Sequence, residues 1–191
     1  DIPNRKTLNL GSSVGFHNIE TTGAGFDYAL SLNGGYFEID RELRSSEIRF
    51  GTELNLRNRI SEKFSIILES DANFFDLTET SDSILQKQFT VKPGVQFNIG
   101  SFTLKALADV FIDNQGTNPF VEAEANLSIL ENSIQIYLGV DQKVQINSLS
   151  NRYISNPFIN RFSFENRNTI SKQYYGGIRG KMKDFLTFDI S

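Results

Sequence analysis

Residues 121–144 read VEAEANLSILENSIQIYLGVDQKV and contain two alternating runs joined by a short polar turn. Apolar side chains fill every second position from Val121 to Ile129, and again from Ile134 to Val140. A period of two is typical of a β-strand with one apolar and one polar face, so the stretch predicts a β-hairpin. The polar positions of this hairpin carry four charged side chains: Glu122, Glu124, Asp141 and Lys143.

The same alternation recurs along most of the chain. Further apolar runs begin at Leu8, Phe26, Ile48, Phe64, Phe89 and Leu104, and two more segments follow the hairpin around Tyr174 and Phe188. We predict about ten strands of roughly ten residues, which is the length that a tilted strand needs to cross a bilayer. No segment combines a period of 3.6 with helix caps, so the helix content should be low.

The predicted connections alternate between short and long. Short turns are expected near residues 58–63, 99–101, 130–133 and 182–184. Longer polar connections are expected near residues 40–46, 77–83, 113–119 and 145–171. Short periplasmic turns and longer extracellular loops are typical of an up-and-down barrel in an outer membrane. This assignment makes the first strand run toward the periplasm, so we expect further strands upstream of this chain.

Composition excludes several classes of function. The 191 residues suffice for one domain and carry a net charge of −4, without the basic excess that nucleic-acid binding requires. The chain has no Cys and a single histidine, His17, so thiolate and multi-histidine metal sites are excluded and no cofactor is expected. No run of about 18 apolar residues is present, so no transmembrane helix is predicted.

A soluble β-sandwich or a lipocalin-like barrel also alternates, so alternation alone leaves these soluble folds and the membrane barrel open. Charges at mid-strand positions, apolar positions in nearly every strand and aromatic residues beside the predicted turns favour the barrel. Those aromatic residues are Phe64, Phe97, Phe102, Phe120, Phe185 and Phe188. We therefore predict an all-β fold, an antiparallel up-and-down transmembrane β-barrel whose apolar face meets lipid. Pro93 should lie at an edge or an irregularity of the sheet, because proline lacks the N–H for a ladder bond.

The last third of the chain carries a family resemblance. NPFVEAEANLSILENSIQIYLGV (118–140) and the motifs Asn156-Pro157-Phe158, YYGGIRG (174–180) and LTF (186–188) resemble the C-terminal part of the TonB-dependent-receptor-like outer-membrane β-barrels of Bacteroidota. The resemblance implies an integral barrel in the outer membrane of a Gram-negative cell. The chain departs from that family by lacking a plug domain and a TonB box, and by ending on Ser191 instead of an aromatic residue. From the family's length we expect residues 1–191 to be one barrel domain or a fragment of a larger barrel.

Charged and polar side chains on the predicted lumen face are the main candidates for a site. They are Glu53, Glu69, Asp71, Lys105, Asp109, Glu122, Glu124, Asp141, Lys143 and Arg179. One interpretation is a lumen that selects or contacts a solute; the other, which we favour, is an interior plugged by ion pairs between neighbouring strands. The loop motif Asn156, Pro157 and Phe158 is expected to fix a loop rather than to contact a ligand.

Signals for catalysis are weak. Glu122 and Glu124 have the spacing of a carboxylate pair, but neighbouring polar positions of any barrel strand produce it. DNQGTN (113–118) has oxygen ligands and a glycine but lacks the closing Glu of a calcium loop. We therefore expect a non-enzymatic protein that transports or binds a solute at the cell surface. The alternative is a structural or accessory barrel in an outer-membrane secretion or assembly complex, with other outer-membrane or periplasmic subunits as partners.

Overall fold

A computed structural model describes residues 6–18, 25–40, 45–79, 82–129, 133–155, 168–182 and 186–190. These residues form ten strands and one short helix. The strands are β1 (Lys6–His17), β2 (Phe26–Asp40), β3 (Ser45–Ser61), β4 (Phe64–Glu79), β5 (Asp82–Ile99), β6 (Phe102–Asp113), β7 (Gly116–Ile129), β8 (Ile134–Gln145), β9 (Thr169–Met182) and β10 (Leu186–Ile190). The helix is α1 (Leu149–Ser155), between β8 and β9.

Each strand pairs antiparallel with the next one along the chain, in the order β1 to β10. This confirms the predicted all-β, up-and-down antiparallel arrangement. Within the described residues β1 pairs only with β2 and β10 only with β9, so the sheet has two free edges and is not closed into a barrel. The end of the sheet at which β2 meets β3, β4 meets β5 and β6 meets β7 is called the upper end below.

The strands are longer than predicted. Strands β1 to β9 have 12 to 18 residues instead of about ten. The long connection expected near residues 113–119 is wrong: only Asn114 and Gln115 separate β6 from β7, and Pro119 lies within β7. The connection expected near residues 77–83 is also shorter, because β4 and β5 reach Glu79 and Asp82. Polar residues at strand ends were interpreted as loop, although the ladder needs only their backbone groups.

The two faces of the sheet differ sharply in exposure. Side chains of the apolar set point outward, and Val121 and Leu138 are 63% and 62% exposed. On the opposite, polar face most side chains of β2 to β8 are buried or half-buried, and Asp109 and Gln88 are 1% and 2% exposed. A flat single-layer sheet would bury neither face, so the sheet must curve around its polar face.

Helix α1 packs on the polar face at the upper end. It lies in a region predicted as a long polar loop. Asn151 N donates to Ser148 Oγ (3.2 Å), which caps the first turn. Leu149 is buried in a small cluster with Phe37, Ile39 and Leu77, against which Tyr153 also packs.

The β5–β6 ladder is interrupted where proline was expected to break it. Val91 pairs with Val110 and the pairing resumes in the same register at Gly94 and Leu107, so Lys92 and Pro93 have no β6 partner. At Gly94 the two backbones approach closely: a Cβ there would lie 2.3 Å from the Ala106 carbonyl oxygen.

Alanine in place of Gly94 should therefore push β5 from β6 and destabilise the folded protein by about 1–3 kcal/mol, the usual cost of overpacking. Gly11→Ala is the matched control, since the nearest atom to its Cβ would be the Gly34 carbonyl oxygen at an ordinary 3.8 Å. Urea unfolding in detergent, followed by far-UV circular dichroism because the chain has no Trp, measures both variants. Equal midpoints would contradict the close approach at Gly94.

A second irregularity divides the upper parts of β7 and β8. Their ladder runs from Ala123–Val140 to Ile129–Ile134, so the described residues 116–122 of β7 have no partner in β8. Residues 141–145 of β8 remain paired with β9 alone. Beyond this point β8 turns toward the polar face, because Gln142, Val144 and Ile146 line a cavity that also contains Asp109.

Candidate functional site on the polar face

A buried ion-pair cluster lies at the centre of the polar face. Lys92 Nζ on β5 lies 2.7 Å from Glu122 Oε1 on β7 and 3.4 Å from Asp109 Oδ2 on β6. Asp109 and Glu122 are both largely covered, with side chains 2% and 14% exposed. Removing such charges from water is costly unless they remain paired, so each member of the cluster depends on the others.

Two further contacts bridge next-nearest strands. Lys105 on β6 forms an ion pair with Glu69 on β4, and Arg57 on β3 donates to the amide oxygen of Gln96 on β5. The side chains of the Lys105–Glu69 pair are 36% and 31% exposed, so solvent screens them far more than the Lys92 cluster. Contacts that skip one strand require a curved sheet, consistent with the covered polar face.

A hydrogen-bonded chain links β7, β8 and β9. The carboxylate of Glu124 accepts from the Tyr175 hydroxyl (2.9 Å) and from Asn126 Nδ2 (2.7 Å). Gln135 Nε2 donates to Asn126 Oδ1 (3.1 Å), and Arg179 Nε donates to Gln135 Oε1 (2.7 Å). Amide and hydroxyl donors thus hold Glu124 in place without a cation in direct contact among the described residues.

Three acids lie in polar cavities. Glu53 and Asp71 line a cavity of about 350 Å³ and accept from Asn55 Nδ2 (3.1 Å) and Asn73 Nδ2 (3.0 Å). Asp141 lines a smaller cavity beside Glu122, Glu124 and Tyr175. Acidic side chains outnumber basic ones in the lining of these two cavities, so the electrostatic potential there favours cations over anions.

The structure places the predicted lumen residues on this face, with one exception. Glu53, Glu69, Asp71, Lys105, Asp109, Glu122, Glu124, Asp141 and Arg179 take part in the contacts above. Lys143 is exposed, and its neighbour Gln142 occupies the buried position because β8 turns after Asp141. The predicted loop motif Asn156, Pro157 and Phe158 lies outside the described residues.

Three of the aromatic residues that were predicted to lie beside turns are on the apolar face, and one is on the polar face. Phe64 and Phe97 pair on the apolar face with ring centroids 5.0 Å apart, and Phe102 is exposed on the same face. Phe120 instead opposes Asp109 on the polar face, with Lys172 Nζ 5.1 Å above its ring. Phe185 lies outside the described ranges.

Sequence reasoning missed Glu47 as a site residue, although it is 1% exposed, as buried as Asp109. It is in phase with Arg49 and Glu53 along β3, so the alternation placed it on the polar face. Arg49 on the same strand is near in sequence, but the two hydrogen-bond donors could not be predicted, because they come from α1, about a hundred residues later.

Comparisons with known proteins do not assign this chain to a family. A scan against protein-family models finds no match, and a search of curated proteins finds no significant relative. No helix within the described ranges is long and apolar enough to cross a membrane. Likewise, no group of three or more His, Cys, Asp or Glu side chains in the part of the chain that the structure describes is arranged to hold a metal ion.

Proposed function

We propose that this chain inserts into a Gram-negative outer membrane as all or part of a β-barrel and serves transport or binding at the cell surface. The single observation that carries the proposal is the inversion of the two faces: large apolar side chains are exposed, whereas most charged side chains of the polar face are buried or half-buried. In water an exposed apolar surface of this extent is unusual and marks contact with a partner or a membrane. In lipid the same surface needs no partner protein.

The extent of the apolar face supports this proposal. Exposed large hydrophobic side chains occur on strands from β1 to β10, including Leu10, Ile48, Val121, Leu138 and Ile190. A protein-binding patch would be confined to one region, whereas lipid meets every strand of a barrel.

Two bands of aromatic side chains mark the lower and upper limits of the apolar face, so the distance between them can be compared with the thickness of a membrane. On β4, Phe64 lies near the lower end and Phe74 ten residues above it, both facing outward. Ten residues span about 33 Å along a strand, and a tilt of about 40° reduces this to about 25 Å, the height of the apolar band in known barrels. Phe97 extends the lower band, and Phe50 and Phe89 extend the upper band.

The positions of charged side chains on the apolar face agree with these two bands. On the apolar face of β2 to β8, no described position between the two bands carries a charge. Charges return just above the upper band, with Asp76 beyond Phe74 and Lys87 beyond Phe89. A charge at the membrane midplane costs about 2–4 kcal/mol, so this distribution is the one that lipid would require.

The covered polar face favours a restricted interior over a wide pore, since its ion pairs and α1 occupy much of the space. This observation keeps the accessory-subunit function as the second candidate. A structural barrel needs a filled interior, whereas a transport protein needs a path through it.

Reconstitution into planar bilayers separates these functions. For transport, we expect protein whose folding is verified by heat-modifiable gel migration to give discrete conductance steps. A closed trace from folded protein, with stable co-purification of partner subunits in mild detergent, would favour the accessory role. Folded monomer that stays in solution without detergent would contradict membrane insertion.

A further inference from the structure

Residues 146–155 cross the polar face at its upper end and are called the strap below. Ile146 and Asn151 of the strap line a cavity of about 510 Å³, together with Arg49 of β3 and Asn33 of β2. The strap therefore forms one wall of this cavity, which is larger than the cavity that contains Glu53 and Asp71.

The floor beneath the strap consists largely of glycine and small polar residues. Gly11 pairs with Gly35, and Ser13 pairs with Asn33, so β1 and β2 contribute little volume there. On β3, Gly51 lies between Asn33 and Asn73 in register. If the strap moved away, small polar residues would leave a hydrophilic path along the sheet.

One carboxylate holds the strap down. Glu47 accepts a hydrogen bond from the Leu149 backbone N–H through Oε2 and from the Ser150 hydroxyl through Oε1 (3.2 Å). Arg49 Nη1 also donates to Ser150 Oγ (2.9 Å), and Arg49 Nε lies 3.6 Å from Glu47 Oε1. Glu47 and Ser150 are 1% and 0% exposed, so water does not compete for these bonds.

Apolar contacts also attach the strap to the sheet. Leu149 packs with Phe37, Ile39 and Leu77, and the Tyr153 ring lies 5.8 Å from that of Phe37. Ile154 in the last turn is 66% exposed. A seven-residue helix is too short to be stable on its own, so it remains helical only while it is attached to the sheet.

We propose that the strap is an internal gate, latched by Glu47, that constricts the polar interior and opens it on release. The inference rests on the proposed transport function, because a gate has meaning only if solute or ions pass. It names residues 146–155 as the constriction and Glu47 as the positioning residue that keeps it closed.

The test uses the full chain with one reporter cysteine, which is unique because the protein has no Cys. Ser148→Cys replaces the hydroxyl that caps α1 with a thiol of similar size, at a site 2% exposed. This single variant is the reference for all others, and it should react slowly with a water-soluble maleimide while the strap is latched. In reconstituted protein Glu47→Ala should speed labelling by about ten- to hundredfold, the factor expected from losing hydrogen bonds to a charged acceptor. The conductance steps of Glu47→Ala should also be larger than those of wild type.

Two further variants keep the result interpretable. Ser150→Ala removes the two bonds that the hydroxyl makes with Glu47 and Arg49 but retains the carboxylate and its bond from the Leu149 N–H. It should act in the same direction with a smaller effect, and it replaces Glu47→Ala in the test if that variant fails to fold. Glu53→Ala, on the same face of β3 but against a different cavity, makes no contact with the strap and should leave the labelling rate equal to that of the reporter alone.

Unchanged labelling in both latch variants would overturn the gate. Faster labelling with conductance equal to that of wild type would overturn it too, because the strap would then not be the constriction. If no folded variant gives conductance steps, including those in which fast labelling shows that the strap is released, the result contradicts the transport function itself. The gate proposal then fails with it.

Discussion

Arginine in place of Leu54 should destabilise the folded protein in lipid vesicles by about 2–4 kcal/mol, the cost of a charge near the bilayer midplane. Leu54 lies on the apolar face of β3, midway between Phe50 and Asn58, the partner of Phe26. Its cross-strand partners are Leu30 and Ser70, so no carboxylate is at hand to pair with the new cation. Titration with urea in vesicles, followed by gel migration of the folded form, measures the loss.

Glu53→Arg is the control for this experiment. It places the same side chain one residue away on the same strand, but on the polar face, where Asp71 is its partner on β4. We expect it to fold nearly as well as the wild type in the same vesicles. If Leu54→Arg were no worse than Glu53→Arg, the apolar face would not contact lipid and a soluble sheet would be the better description.

Methionine in place of Lys92 should have a similar cost for a different reason. The substitution leaves Asp109, 1% exposed, and Glu122 covered and without their cation. Breaking a buried pair by removing one partner costs about 3–5 kcal/mol, because the remaining charge is uncompensated. Adding Asp109→Asn should recover part of that loss, and a double-mutant cycle of urea midpoints measures the coupling.

The Lys105–Glu69 pair supplies the comparison. It has the same chemistry and also bridges next-nearest strands, but about a third of each side chain is exposed. We expect Lys105→Met to cost no more than about 1 kcal/mol, as for screened surface pairs. Equal losses from Lys92→Met and Lys105→Met would show that burial does not set the strength of these pairs.

Most of the fold could be predicted from the alternation, because successive side chains of a strand point to opposite faces and this period of two is visible in the sequence. Glu53 and Leu54 are opposite in character and lie on opposite faces, as the period of two requires. Strand ends were harder to predict. Pro119 and the residues around it look like a loop by composition, yet β7 includes them through backbone bonds to β6, which composition does not report.

The candidate site was predictable as a face but not as a set of contacts. The acids of β4, β6 and β7 were assigned to one side, whereas the choice of Glu122 and Asp109 as partners of Lys92 depends on strand register and sheet curvature. Helix α1 was missed because LSNRYIS is too short to show a helical period. Gln142 was missed because β8 changes direction at Asp141, which reverses the alternation beyond it.

The incomplete ladder between β7 and β8 has a mechanical consequence. Seven residue pairs join these strands, against twelve between β8 and β9. Of the ladders that join β1 to β9 this is the shortest, so force applied across these nine strands would separate β7 from β8 first, beginning at the upper end. The strap begins at residue 146, directly after β8 ends at Gln145. The backbone would therefore transmit a movement at this seam to the strap. Spreading β8 from β7 would pull on the strap directly, without any signal passing through the rest of the sheet.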